Sequence, residues 1–272
     1  MYYKEIQPPP PLADLIRYYW VLEDHPGNSE VLTFRVLADG YPGFIFTYGN
    51  EISWQLKSSS SPVPRCSIFG VLQQYQDLSV RGAYGILGIS FFPYSFHTLL
   101  NISAEHLCNR TVDVEDLYGT AGKQLTEKLL NAADNAERIA CINGFISRIQ
   151  RGTSVASVAI RQSIQGILAQ KGAVPVSRLA QQLDISRRHY ERTFKAAIGM
   201  SPKQFSRIIR FQHVLRHPNE LKEISFADLA LTCGYSDQSH FIREFKTFAG
   251  LTPRYFFSET DEVVENFVHL SE

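Results

Sequence analysis

The twelve residues FKAAIGMSPKQF, Phe194 to Phe205, return fifty-one positions later as FKTFAGLTPRYF, Phe245 to Phe256. A chain that repeats its own punctuation this closely builds one supersecondary unit twice. The match extends upstream. Leu179-Ala180 corresponds to Leu229-Ala230 and Ser186 to Ser236 at an offset of 50. One extra residue then enters the second copy. From there Tyr190 corresponds to Phe241, Arg192 to Arg243, Gly199 to Gly250 and Pro202 to Pro253, at an offset of 51.

Each copy parses into a short helix, a tight turn, a second helix, a stop and a further helix. The first short helix offers Leu179, Ala180 and Leu183 to a core, its counterpart Leu229, Ala230 and Cys233. The turn is LDI in one copy and CGY in the other. Gly234 suits a positive φ, which Asp184 tolerates less comfortably. Ser186 and Ser236 stand where N-caps are expected. On the second helices Tyr190, Phe194 and Ile198, and likewise Phe241, Phe245 and Ala249, share one face. Gly199 and Gly250 are expected to end these helices. Ser201-Pro202 and Thr252-Pro253 restart the chain as cap followed by proline. This is the order of a helix-turn-helix, written twice. Between the copies, PKQFSRIIRFQHVLRH (Pro202 to His217) reads as one connecting helix about 24 Å long at 1.5 Å per residue. Such a spacer holds two units near one turn of a DNA duplex apart, about 34 Å.

The residues that differ between copies while facing solvent carry the information. In the first copy these are Arg187, Arg188, Glu191 and Arg192. In the second they are Gln238, Ser239, Ile242 and Arg243, with Asp237 beside them. Arginine pairs with guanine and glutamine with adenine through two hydrogen bonds in the major groove. Lys195, Lys203, Lys246 and Arg254, together with the capping Ser186 and Ser236, are candidates for phosphate contact or helix capping.

Charge distribution agrees. Residues 1–154 hold 12 Lys+Arg and 15 Asp+Glu, residues 155–258 hold 15 and 7, and residues 259–272 hold 0 and 5. The chain as a whole is neutral, so the basic block points to a polyanionic partner for that segment alone. Ten of its 15 basic residues are arginines, the side chain suited to forked recognition of phosphates and base edges.

The first 110 residues read differently. Runs such as VLTFRVL, FIFTYGN and ISWQLK alternate with turn signals such as ADGYPG, as strands do. SSSSPVPR, Ser58 to Arg65, reads as a loop, and Asp39-Gly40 as a turn rather than a catalytic acid. From about Asp113, VEDLYGTAGKQLTEKLLNA and NAERIACINGFISRIQ space apolar residues three and four apart, as helices do. This helical pair, Val114 to Gln150, is expected either to form a dimer face or to pack on the strands. RGTS, Arg151 to Ser154, marks the expected domain boundary. Between Gly82 and Ala104 no acidic or basic residue occurs. Pro93, His97, Asn101 and two glycines interrupt that stretch. A buried strand (YGILGISF), a turn and a short helix (SFHTLLN) explain it better than a membrane span.

Tyr19, Trp20, Phe44, Phe46 and Trp54 are candidates to line an apolar effector pocket, against the plainer reading of strand core. The four cysteines, Cys66, Cys108, Cys141 and Cys233, show no CxxC spacing and no histidine cluster, so neither a metal site nor a disulfide framework is indicated. No cofactor is expected. No Ser-His-Asp order, phosphate loop or HExxH occurs, and the expectation is that the chain is not an enzyme. The start MYYKEIQPPPP has no signal-peptide pattern, which with the free cysteines implies a cytoplasmic protein.

The segment Ile164 to Phe257 resembles the AraC/XylS-type transcriptional regulators. RTFKAAIGMSP in the first copy and GYSDQSHFIREFKTFAGLTP in the second carry the resemblance. It implies that each second helix enters one of two adjacent major grooves, with Arg188, Glu191, Arg192, Gln238, Ser239, Ile242 and Arg243 at the bases. Glu191 departs from the neutral residues common at its position, and cytosine N4 is its natural partner. The patterns LIRYYW, VLADGYPGFIF, IFGV, LGISFFPYSF and VEDLYG resemble a sensory domain found on a subset of these regulators. The implied architecture is an α+β chain of two domains. A β-rich, barrel-like sensor or dimerisation domain with helices covers residues 1–153. An all-α domain of two helix-turn-helix motifs joined by a long helix covers residues 154–258, followed by an acidic tail, residues 259–272, either helical or loose. The implied partners are double-stranded DNA, a small-molecule effector, a second copy of the chain and, for an activator, RNA polymerase.

Overall fold

The computed structural model describes residues 1–25, 31–56, 59–95, 99, 103–150, 155–216, 225–259, 263–264 and 267–269. The arginine-led boundary at residues 151–154, His97 and most of SFHTLLN lie outside the described residues.

The alternation read in the first half becomes two antiparallel sheets. Strands β1 (Tyr2–Ile6), β2 (Ile16–Asp24), β4 (Gly43–Gly49), β7 (Cys66–Phe69), β9 (Tyr84–Phe91) and β10 (Thr111–Asp113) form sheet I in the order β1-β2-β9-β4-β7-β10. Strands β3 (Val31–Val36), β5 (Ile52–Gln55), β6 (Ser60–Pro62), β8 (Gln76–Arg81), β11 (Val263–Val264) and β12 (Phe267–His269) form sheet II in the order β11-β12-β3-β8-β5-β6. The sheets stay open, so the expected barrel is a sandwich instead. The segment expected as a loop contributes β6, whose residues pair with β5.

Successive side chains of a strand point to opposite faces, and sheet I is apolar on both. Trp20, Leu22, Ile45 and Ile86 face Leu32, Phe34, Ile52 and Leu78 of sheet II. Tyr19, Val21, Phe44, Phe46, Leu87 and Ile89 face the other way. That second face is covered by three helices, α1 (Val114–Tyr118), α2 (Thr120–Asn131) and α3 (Asn135–Ile149). They contribute Val114, Leu125, Leu129, Ile142, Phe145 and Ile146 to the same core. The helical pair is therefore packed on the strands. Its first member is split, because the chain turns at Gly119, with φ of 56°, between α1 and α2.

The remaining helices are α4 (Val155–Ala169), α5 (Val176–Gln182), α6 (Arg187–Ile198), α7 (Pro202–Leu215), α8 (Phe226–Thr232), α9 (Gln238–Ala249) and α10 (Pro253–Glu259). α7 is the expected connector, 14 residues long, or about 21 Å at 1.5 Å per residue. Its Phe205, Ile208, Ile209, Phe211 and Val214 are buried. Phe211 meets Phe245 and Phe248 of α9, with ring centroids 5.2 and 5.4 Å apart. Burial of one such ring contributes about 1.5–3 kcal/mol.

This helical core is continuous with the sandwich. Leu37, Ala38, Val71, Leu72 and Tyr94 belong to the same buried cluster as Phe205, Ile209 and Phe245. Polar contacts reinforce the junction: Gln212 Nε2 donates to the Ala38 carbonyl at 2.8 Å and Arg161 meets Asp14 at 2.7 Å. The acidic tail is neither a free helix nor loose throughout. After α10 it returns to the sandwich, where β12 pairs with β3.

Candidate nucleic-acid interface

Both helix-turn-helix units form as their punctuation dictates. In the first, α5 ends in a turn where Ile185 N–H donates to the Ala180 carbonyl at 3.2 Å. In the second, Tyr235 N–H donates to the Ala230 carbonyl at 2.8 Å. The turn residue is left-handed in both copies, Asp184 at φ 51° and Gly234 at φ 77°. Ser186 Oγ accepts from His189 N–H at 3.3 Å and caps α6. The second copy departs here. Asp237, not Ser236, is the N-cap of α9, its Oδ1 accepting from His240 N–H at 2.8 Å. Ser236 instead donates its hydroxyl to Asp237 Oδ2 at 2.9 Å and lies 3.0 Å from His240 Nδ1. The inserted residue displaces the cap by one position. The carboxylate of Asp237 is held below the usual range by the His240 N–H and the Ser236 hydroxyl, as an acceptor at a helix N-terminus is.

The apolar faces anchor each helix. Tyr190, Phe194, Ala197 and Ile198 of α6 are buried, as are Phe241, Phe245, Phe248 and Ala249 of α9. Tyr190 hydrogen-bonds Ser163 of α4 in the interior. Burial pushes its phenol up to about 12, so it stays neutral. One ion pair was not foreseen. Glu244 of α9 is buried, accepts from Arg207 Nε of α7 and lies 3.2 Å from His240 Nε2. It fixes α9 to the connector. The available signal was an acidic residue placed next to Phe245 on an otherwise apolar face.

The opposite faces are open. Arg187, Arg188 and Arg192 on α6 are exposed, as are Gln238, Ser239 and Arg243 on α9. Glu191 and Ile242 are half-buried. Ile242 packs partly against the helical core, so it presents less surface than a fully exposed residue. Arg187 Nε donates to Glu191 Oε1 at 2.8 Å, and Arg192 lies 3.3 Å from His189 Nδ1. These pairs hold the α6 side chains along one ridge. Lys203, Lys246 and Arg254 are exposed. Lys195 is engaged instead by Glu105, which follows Ser103 in a short 3-10 turn of the N-terminal domain. Glu105 shares one open depression with Arg188, His189, Glu191, Arg192 and Lys195. A carboxylate of the first domain thus sits beside the exposed ridge of α6.

Residues 179–259 match a family model described as a helix-turn-helix domain. The segment is 33% identical over 79 residues to the HTH-type transcriptional activator RhaS of Escherichia coli strains SE11 and K12/DH10B. The chain carries a DNA-binding domain of the AraC/XylS type. The aligned segment is 28% of this chain and 27% of those relatives, so the chain spans about a quarter of their length. Residues 4–113, the sandwich that precedes the AraC/XylS-type domain, match a model described as a domain of unknown function (DUF6597). Among solved structures, ToxT from Vibrio cholerae aligns at 11% identity and a TM-score of 0.48, over 88% of this chain and 98% of ToxT. The C-terminal domain of AraT from Geobacillus stearothermophilus aligns at 22% identity and a TM-score of 0.36, over 39% of this chain and 88% of that domain.

The aromatic candidates in the sandwich separate by strand phase. Trp20 and Trp54 line a cavity between the two sheets. Tyr19, Phe44 and Phe46 do not, because they point to the helix-covered face of sheet I. Tyr19 donates its hydroxyl to Asn143 Oδ1 of α3 at 2.5 Å, and burial pushes its phenol up to about 12. All four cysteines are free, Cys66 and Cys233 buried and the other two half-buried. No described helix is long and apolar enough to cross a membrane, and no group of three potential metal ligands occurs among the described residues.

Proposed function

We propose that this chain is a sequence-specific DNA-binding transcription regulator of the cytoplasm, and not an enzyme, with α6 and α9 reading two adjacent major-groove segments. One observation carries the reading. Two capped helices bury the same aromatic face and leave differing polar residues exposed on the other. Arg188 and Arg192 suit guanine, Gln238 suits adenine, and Ile242 suits a thymine methyl. Glu191 suits cytosine N4, with Arg187 as its ion partner. Ser239 and Arg243 complete the second face. Lys203, Lys246 and Arg254, and Lys195 once released from Glu105, supply the salt-dependent phosphate contacts.

Control runs through the sandwich domain. A small effector is the reading that the cavity between the sheets favours over control by oligomerisation alone. A second copy of the chain remains a partner under this reading, and an activator also meets RNA polymerase. The test is alanine substitution on a duplex selected from random sequence. Arg188→Ala and Arg243→Ala each lose about 1–3 kcal/mol on the selected duplex and relax preference at one position. Equal losses on selected and random duplexes would overturn base reading.

A further inference from the structure

The described strand of the acidic tail touches both domains at once. β12 lies antiparallel on β3, with Phe267 opposite Val36, Val268 opposite Arg35 and His269 opposite Phe34. Alternation along the strand sends its two central side chains to different places. Phe267 enters the core between the sheets and packs on Trp20 with ring centroids 5.4 Å apart. Val268, fully buried, enters the core shared with the DNA-reading helices.

Arg35, across from Val268, carries the connection onward. Its Nε and Nη2 grip Asp77 at 2.7 and 2.8 Å, and its guanidinium lies 4.0 Å over the Tyr75 ring. Its Nη1 donates to the carbonyl of Ala249 at 3.1 Å. Ala249 is the last residue of α9. The tail strand therefore lies beside the residue that caps the end of a reading helix, a position where a cation is favoured.

The cavity that Phe267 helps to line has a volume of about 50 Å³. A water needs about 10–15 Å³, and a benzene-sized ligand on the order of 150 Å³. With Phe267 in place the cavity is too small for a ring. Among the described residues its other lining side chains fall between Trp20 and Thr111, in the sandwich itself, and Phe267 is the one from the tail. Phe267 stands on a strand of three residues, flanked by one of two, so lifting it breaks few ladder hydrogen bonds, and the main cost is the exposure of Phe267 and Val268. Among the described residues Asp39 is the one formally charged side chain in the lining, and its Oδ1 accepts from Tyr41 N–H at 3.0 Å. An anionic ligand would lie against apolar walls and this carboxylate, and a cation would find only this hydrogen-bonded carboxylate to offset a high desolvation cost.

We propose that the Phe267 ring plugs a binding site for a compact, uncharged, ring-sized apolar molecule. Such a ligand replaces the ring, lifts β12 from β3 and loosens the hold of Arg35 on α9. The regulatory consequence rests on the reading of α9 as a DNA reader; the site and its plug do not.

The test uses the full chain and toluene, which carries the same ring as the phenylalanine side chain. In the wild-type protein, toluene speeds amide hydrogen exchange at Phe34–Val36 and in the last turn of α9 by on the order of tenfold. In Phe267→Ala, exchange at both places is already fast, and toluene slows it by refilling the hole. Phe267→Leu, which keeps an apolar side chain, lies between the two. Exchange that ignores both toluene and the substitutions overturns the proposal. Affinity for a selected duplex is measured in parallel, and toluene shifts it about fivefold or more. Exchange responses without any duplex binding leave the plug standing and remove the DNA reading. Normal duplex binding without exchange responses removes the plug alone.

Discussion

Gly250 gives a measurable handle on the junction between the two domains. It follows α9 with φ of 72°, and a Cβ there would lie 2.4 Å from Arg35 Nη1 and 2.6 Å from the Tyr75 ring. Gly234 is the control. Its φ is 77°, but the nearest atom to an added Cβ is the Ala173 Cβ at 3.6 Å. A left-handed conformation costs a non-glycine residue about 1–2 kcal/mol, offset by about 0.4–1 kcal/mol from a less disordered unfolded chain. Gly234→Ala is therefore expected to destabilise by about 0.5–1.5 kcal/mol. Gly250→Ala adds the displacement of Arg35. That forfeits a charge-assisted bond to Ala249, about 1.5–3 kcal/mol, and a cation–π contact, about 0.5–1 kcal/mol. Part of this is recovered because Asp77 can follow the guanidinium, so a total near 2–4 kcal/mol is expected. The assay is hydrogen exchange of α9 amides across a urea series on the full chain. Repeating it in an Arg35→Ala background should lower the cost of Gly250→Ala, with the contact to the Tyr75 ring keeping it above that of Gly234→Ala. Equal costs for the two glycines in the native background would refute the seating of Arg35 on α9.

Two further outcomes follow from the same geometry. Asp237→Ala removes the cap of α9 and should cost about 1 kcal/mol, whereas Ser236→Ala should cost clearly less; urea midpoints of the two variants distinguish them, and the reverse order would restore Ser236 as the cap. Alkaline pH should destabilise the fold through Cys66, Tyr19 and Tyr190, each pushed by burial to about 12. The unfolded chain releases these protons first, so their contribution is intact below about pH 9 and declines as pH rises toward 12. A urea midpoint that stays level from pH 8 to 11 would contradict this burial.

Most of the C-terminal domain was legible because each element is specified locally and written twice. Caps, stops and apolar spacing act over three or four residues, so Ser186, Gly199, Ser201-Pro202 and the Tyr190–Phe194 face follow directly from the sequence. The misplaced cap at Ser236 has a local cause too: the extra residue lies beside it, and Asp237 competes as a better acceptor. The sandwich was legible as strands but not as faces. Sheet I is buried on both sides, and alternation alone cannot say that Trp20 meets a cavity while Tyr19 meets α3. The tail was the least legible. Phe267 pairs with Val36, and no short-range pattern announces a contact across that separation. Arg35 and Glu105 were missed for the same reason, since each acts on a helix end or side chain of the other domain.

The central claim is that α6 and α9 read separate segments of one duplex. Selecting bound sites from random DNA with the wild-type chain, then with Arg188→Ala and with Gln238→Ala, tests it most directly. The expected result is a bipartite site with two half-sites about one helical turn apart. Arg188→Ala should alter preference in one half alone, and Gln238→Ala in the other alone. A single undivided site, or both substitutions changing the same bases, would contradict the account.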